Sequence, residues 1–147
     1  MKVYDDKHIK NVALVGASGS GKTTLAETML YEAGLINRRG TVEAKNTISD
    51  YNEIEQERET SIYATPQHTE WRNYKIKIID TPGQDDFVGE IITSVRVADT
   101  TLVIINGQQG AEVGTDLIWN YVDRFAKPVI FAINQLDHPS ADFEQSY

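Results

Sequence analysis

The sequence contains no cysteine. That excludes a disulfide framework and any thiolate-ligated metal centre, and it is compatible with a reducing compartment. Long apolar runs are also missing. Nothing approaches the ~20 residues needed to span a bilayer. The opening segment, MKVYDDKHIKNVALVG, carries charges and no run of signal-peptide length. A net positive charge is absent too: the 147 residues sum to −8. An acidic domain is a poor general ligand for a nucleic-acid backbone, so any RNA contact must be local, and sequence-specific DNA binding is not expected. There is no internal repeat and no low-complexity tract. His8, His68 and His138 are scattered without metal-ligand spacing.

What remains is ordinary globular material, 40% hydrophobic and 24% charged, of a length that suits one domain with one core. Short apolar stretches alternate with helical ones. Residues 11–15, NVALV, predict a buried strand. Residues 23–33 carry apolar side chains at helical spacing, with Gly34 placed to close the helix. Residues 36–60 are charged and aperiodic, which predicts a long polar loop, functional or mobile. Within it Glu53, Glu55, Glu57 and Glu59 read as a solvated acidic run. Residues 61–71 and 74–79 predict a hairpin turning at Arg72-Asn73, with Pro66 placing its first strand at a sheet edge. A helix is expected over 87–97, a buried strand over 101–105, a helix capped by Thr115 and running to about Ala126, and a strand over 128–133. Trp71 and Trp119 read as packing residues, and Arg38 and Arg39 as surface charge. Continuous apolar strands alternating with helices imply a three-layer α/β domain, its sheet mostly parallel with one antiparallel edge strand.

Three short stretches carry chemistry, each directly after a predicted strand. The first is GASGSGKT, residues 16–23. It fits G-x-x-x-x-G-K-[ST] between a strand and a helix. Glycines let the backbone wrap so that successive N–H groups face phosphate oxygens, and the helix N-terminus adds its positive dipole end. Ser18, Gly19, Ser20, Gly21, Lys22, Thr23 and Thr24 form the candidate binding set. Lys22 would reach the outer phosphates and the Thr23 hydroxyl would bind Mg²⁺. The competing reading is a glycine-rich turn with an incidental lysine. The second stretch is IIDTPGQDDF, residues 78–87. Asp80 stands at the carboxyl end of a strand, where open α/β sheets bind ligands, and can hold Mg²⁺ directly or through water. The Gly83 N–H can face a terminal phosphate. Asp-Thr-Pro-Gly is also good turn chemistry. The third is NQLD, residues 134–137. Asp137 could accept two hydrogen bonds from guanine, a donor pair adenine lacks, and so select GTP over ATP. Asn134 could contact the base or brace the phosphate loop.

These three elements in this order resemble a GTPase of the Ras-like P-loop class. GKTTLAETMLYEAG, DYNEIEQERETSI, IKIIDTPGQDDF, SVRVADTTLVIINGQQGAEVGTD and NQLDHPSADF further resemble the GTP-binding domain of elongation factor G, over residues 10–143. That resemblance implies a domain that takes GTP or GDP with Mg²⁺, acts on the ribosome in the cytoplasm, and uses two nucleotide-ordered switches, residues 36–62 and 81–90. It implies that residues 1–147 are the GTP-binding domain at the start of a longer multidomain translation factor. The family's domain continues with a further strand, a helix and a guanine-contacting loop not found in this sequence. Ribosome-protecting and recycling factors are relatives with the same signature.

Several positions depart from the family pattern. Gln84 stands where the family has the histidine that orients the attacking water, a task glutamine performs in Ras-like proteins. Arg58 to Ser61 read RETS in place of R-G-I-T. Ser61 keeps a hydroxyl for Mg²⁺, and Arg58 could contact phosphate or ribosomal RNA. Thr60 replaces an isoleucine that gates the catalytic side chain, and Ser18 is the matching polar position in the phosphate loop. Gly19 replaces an aspartate used near a monovalent cation. Gln135 replaces the lysine whose stem packs along the base. The groups that bind are kept and the groups that trigger are changed together. Because binding and transition-state stabilisation are separable, slow hydrolysis with Gln84 as the candidate catalytic residue is one expectation. Normal turnover through Gln84 is the other.

Overall fold

The computed structural model describes residues 3–146. Among these residues ten α-helices and β-strands follow one another: β1 (Ile9–Val15), α1 (Lys22–Glu32), α2 (Glu53–Arg58), β2 (Thr65–Trp71), β3 (Tyr74–Asp80), α3 (Val88–Val97), β4 (Thr100–Asn106), α4 (Val113–Arg124), β5 (Val129–Asn134) and the short α5 (Phe143–Ser146). The strands form one sheet in the order β2-β3-β1-β4-β5. β1 pairs in parallel with β3 and β4, and β4 with β5, while β2 runs antiparallel at the edge beside β3. Pro66 lies on that edge strand, where a missing N–H costs no ladder bond. Arg72 and Asn73 both take left-handed φ, 44° and 69°, the geometry of a two-residue hairpin turn that follows the strand twist.

Helices cover the two sheet faces unequally. Ala13, Val15, Val103 and Ile105 meet Ile91 and Val95 of α3 and Ile118 and Val122 of α4 in one buried cluster. On the other face α1 alone packs Ala26 against Leu14, Ile78 and Ile104. An apolar groove of about 430 Å³ stays open beside α1, with Val12, Met29, Ile76, Leu102 and Ile130 among its walls. α1 ends as the spacing predicts. Gly34 takes φ 70°, and the N–H groups of Gly34 and Leu35 return to the carbonyls of Tyr31 and Leu30, which closes the last turn. Among the described residues no helix is long and apolar enough to cross a membrane.

Five expectations need correction. The stretch 36–60 is not loop throughout, since α2 forms inside it. Glu55 is not solvated: it is fully buried, and its carboxylate accepts the backbone N–H groups of Ile62 at 2.9 Å and Tyr63 at 3.1 Å. Those bonds explain why β2 starts at Thr65 and not at Ser61, because the N–H of Ala64 likewise goes to Glu90, at 2.9 Å, and not to a neighbouring strand. Thr115 does not cap α4. Glu112 does, and its N–H donates to Thr115 Oγ1 at 3.2 Å. Trp71 and Trp119 are about half exposed, Trp119 stacking on Phe131 at the surface of the β5 edge.

Candidate functional site

The site is built at the carboxyl ends of β1, β3 and β5. As β1 ends, the chain turns through residues 16–21 and enters α1 at Lys22. Gly21, the residue before the helix, has φ 94°. A Cβ there would stand 2.3 Å from Asn134 Nδ2, so both conformation and contact demand glycine. Asn134, at the end of β5, donates from Nδ2 to the Ser20 carbonyl at 2.9 Å. Of the two roles open to it, this structure gives it the brace. Gln135 Nε2 donates to the Gly19 carbonyl at 2.8 Å. The phosphate loop is therefore tied from behind by two side-chain amides.

Lys22 is buried, and its Nζ lies over its own loop, donating to the carbonyls of Gly16 at 3.0 Å and Ala17 at 2.9 Å. Burial pushes its pKa down to about 8, against the pull of the Asp80 and Asp50 carboxylates. Asp80 is 1% exposed, and neither carboxylate oxygen has a hydrogen-bond partner. Burial raises its pKa to about 6. The nearby Ser49 and Thr23 hydroxyls and the Lys22 ammonium oppose that rise, while Asp50 adds to it. Thr23 Oγ1 and Ser61 Oγ stand 3.3 Å apart. A fully buried carboxylate without a partner beside two converging hydroxyls is an all-oxygen donor set, which suits a hard divalent cation such as Mg²⁺.

A cavity of about 290 Å³ opens onto Lys22, Thr23 and Ser61, with Asp80 buried beside them and not among its walls. Its walls include Gly19, Lys22, Thr23, Ser61, Gly83 and Gln135, and also Ser18, Gly21 and Thr24. The loop, the segment before β2 and the turn after β3 thus meet around one space. Gly83 comes close to the loop: a Cβ on it would lie 2.5 Å from Lys22 Nζ and 2.7 Å from the Ser18 nitrogen. Ser20 is buried with its hydroxyl unpartnered and contributes its carbonyl to the Asn134 brace. Two candidates stand apart. Gln84 is exposed and faces a neighbouring open cleft with Ala17, Asp85, Asp86 and Glu112. Asp137 is exposed and does not line the cavity.

One acidic residue was missed. Asp50 lines the cavity, is 4% exposed and has a partnerless Oδ1; burial raises its pKa, with Ser61 opposing. An aspartate in an aperiodic polar stretch carries no signal of its own. The segment holding it is clasped by carboxylates: buried Glu27 of α1 accepts the N–H groups of Gly40 and Ile48, and buried Glu55 and half-buried Glu90 hold residues 62–64.

A glycine loop between strand and helix, a buried lysine and a cluster of side-chain oxygens at the ends of the strands are the features of a P-loop nucleotide-binding domain. Residues 7–147 match the family described as Elongation factor Tu GTP binding domain, and the chain belongs to that family. It is 35% identical to an elongation factor G-like protein of Thermotoga maritima over 94% of the chain and 20% of that protein. It is 37% identical to a mitochondrial ribosome-releasing factor 2 of Culex quinquefasciatus, over 95% of the chain and 19% of that protein. The chain therefore spans about a fifth of the length of these curated relatives. A crystal structure of a Thermus thermophilus protein superposes with a TM-score of 0.90 at 36% identity, over 93% of the chain and 21% of that structure. The elongation factor SelB of Methanococcus maripaludis, solved with the GTP analogue GppNHp, shares the fold at a TM-score of 0.68 and 20% identity, over 93% of the chain and 24% of that structure.

Proposed function

We propose that the chain is the GTP-binding domain of a longer, elongation factor G-like translation factor, which holds GTP or GDP with Mg²⁺ and acts on the ribosome. The observation that carries this reading is Asp80, buried and partnerless beside the Thr23–Ser61 hydroxyl pair, in a chain of this family. Phosphates would take the loop amides and Lys22, whose present partners are only carbonyls of its own loop. Mg²⁺ would be held by Thr23, Ser61 and Asp80, and would supply charge neutralisation at the phosphate oxygens. Asp137 would select guanine.

Hydrolysis is attenuated in this proposal. Gln84, exposed and outside the cavity, is the observation that favours it. Loss of one water-orienting group is worth on the order of 10²–10⁴ in rate. The ribosomal step is translocation on the elongation factor G reading. The second reading, favoured by the same Gln84 placement, is a GTP-dependent ribosome-binding switch with negligible catalysis. A recycling or protection role differs from both in domains outside this sequence.

Two measurements test the proposal. Fluorescent GDP should bind in Mg²⁺, be displaced by GTP and not by ATP, and be released by a chelator. Displacement by ATP would refute the guanine site. Single-turnover hydrolysis by the intact parent with ribosomes should be slow and should rise with Gln84→His. A fast wild-type rate that Gln84→His leaves unchanged would refute attenuation through this residue.

A further inference from the structure

Gln135 takes a left-handed φ of 59° immediately after β5, which carries its side chain back over the phosphate loop. Its Nε2 donates to the Gly19 carbonyl. A carbonyl oxygen only accepts, so the amide can have one orientation, with Oε1 turned away from the loop. That Oε1 accepts from Gln108 Nε2 at 3.0 Å. The orientation of Gln108 is fixed in turn, and its own Oε1 accepts from Ser140 Oγ at 3.3 Å. Gln108 is anchored where it stands, because its backbone N–H donates to Asn106 Oδ1 at 2.9 Å. One run of hydrogen bonds, all pointing the same way, thus links the turn after β4 to the loop after β5 and ends on Gly19.

Gly19 is the place where such a tether matters. It has φ 76°, and nothing lies within 4 Å of the position a Cβ would take, so no packing confines it. A planar peptide joins its carbonyl to the Ser20 N–H on the opposite side. Fixing the carbonyl therefore fixes the direction of that N–H, which makes a 3.3 Å bond to the Ala17 carbonyl across the loop.

Given that the cavity is a guanine-nucleotide site, as proposed above, we infer that Gln108 is a positioning residue for nucleotide. Acting through Gln135, it holds the Gly19 peptide in the orientation that keeps the phosphate loop formed, and so lengthens the residence of bound nucleotide. The glutamine at 135 needs this partner because a neutral amide, unlike an ammonium, can be turned round.

The test uses the whole chain and a fluorescent GDP with Mg²⁺. In Gln108→Glu the carboxylate only accepts, so it faces the Gln135 oxygen and favours turning that amide away from Gly19. GDP dissociation should be roughly three- to tenfold faster, the scale of one hydrogen bond. Gln108→Leu, which removes the bond without repulsion, should fall between this variant and wild type. The pair Gln108→Glu with Gln135→Lys should return to the wild-type rate, because an ammonium donates to both the carboxylate and the Gly19 carbonyl. Amide exchange across residues 19–21 in the nucleotide-free chain should follow the same order. A Gln108→Glu variant unchanged in dissociation and exchange would overturn the inference, and so would a double variant as fast as the single. If wild type binds no guanine nucleotide, the functional reading falls and the residence-time claim with it. The exchange data would then still decide whether Gln108 holds the loop.

Discussion

Substituting Asp80 by asparagine should make the nucleotide-free domain more stable near neutral pH and, on the proposed reading, abolish its use of Mg²⁺. In the fold the Asp80 carboxyl titrates at about 6, against an ordinary 3.8, a difference of about 3 kcal/mol. The sign follows from proton counting. Between those two values the folded chain holds the proton that the unfolded chain has released. Stability from this group is therefore fully present below 3.8 and is lost as pH rises through about 6. Above that window the ionised carboxylate sits buried without a hydrogen-bond partner. Asparagine keeps the shape and removes the charge, though its own amide is left unpaired at roughly 1–2 kcal/mol. The net gain should be about 1–2 kcal/mol near neutral pH and should reverse to a loss of about 1–2 kcal/mol near pH 4, where only the unpaired amide counts. For a domain of this size that is about 3–6 °C in Tm.

Thermal unfolding followed by circular dichroism, in a chelator, at about pH 4 and about pH 7.5, measures this directly. Adding Mg²⁺ and GDP should then raise the wild-type Tm and leave that of the variant nearly unmoved. An Asp80→Asn protein that melts below wild type by the same margin at both pH values would refute the reasoning. It would mean that an intact carboxylate stabilises the empty site and that burial does not govern its charge.

Two further outcomes are expected. Glu55→Ala orphans the Ile62 and Tyr63 amides, which should open residues 59–64 by about 2 kcal/mol, with Glu55→Gln intermediate; faster amide exchange at Ile62 and tryptic cleavage after Arg58 would report it. Gly83→Ala would bring a methyl within 2.5 Å of Lys22 Nζ and 2.7 Å of the Ser18 nitrogen. Overpacking of this kind costs roughly 1–3 kcal/mol, so the unfolding midpoint should fall by several degrees and nucleotide affinity measured by titration should fall with it.

The parts of the fold legible in the sequence were those with a local cause. β1, β4 and β5 announce themselves as short apolar runs after turn residues, and the glycines of residues 16–21 announce the phosphate loop. Arg72-Asn73 was readable as a hairpin because two polar residues, one an asparagine that tolerates left-handed backbone, separate two strand-like runs. Glu55 was not readable. Every second residue from Glu53 to Glu59 is an acid, which looks like a solvated face. Only Glu55 turns inward, because amides seven and eight residues later need an acceptor. That partnership leaves no periodicity. Thr115 misled for a related reason: a threonine three residues into a helix accepts a bond much as a cap does, while Glu112 holds the capping position. Asp50 lacked any signal, since its burial depends on how the whole stretch 36–62 folds back.

Those same non-local bonds explain how the site can be ready for ligand. Backbone that must not move is held by side chains from other segments: Asn134 and Gln135 on the phosphate loop, and Glu27, Glu55 and Glu90 on the segment that carries Asp50 and Ser61. Asp80 faces inward with no partner, and Lys22 bonds only to carbonyls of its own loop. An anion and a hard cation answer both needs at once. Gln84 belongs to neither group, being exposed and held by no side-chain hydrogen bond that restrains its neighbours. On the proposed reading, a site organised in this way can bind tightly without lowering the barrier to hydrolysis, because the groups assigned to grip nucleotide are fixed by bonds that do not pass through the residue offered for chemistry.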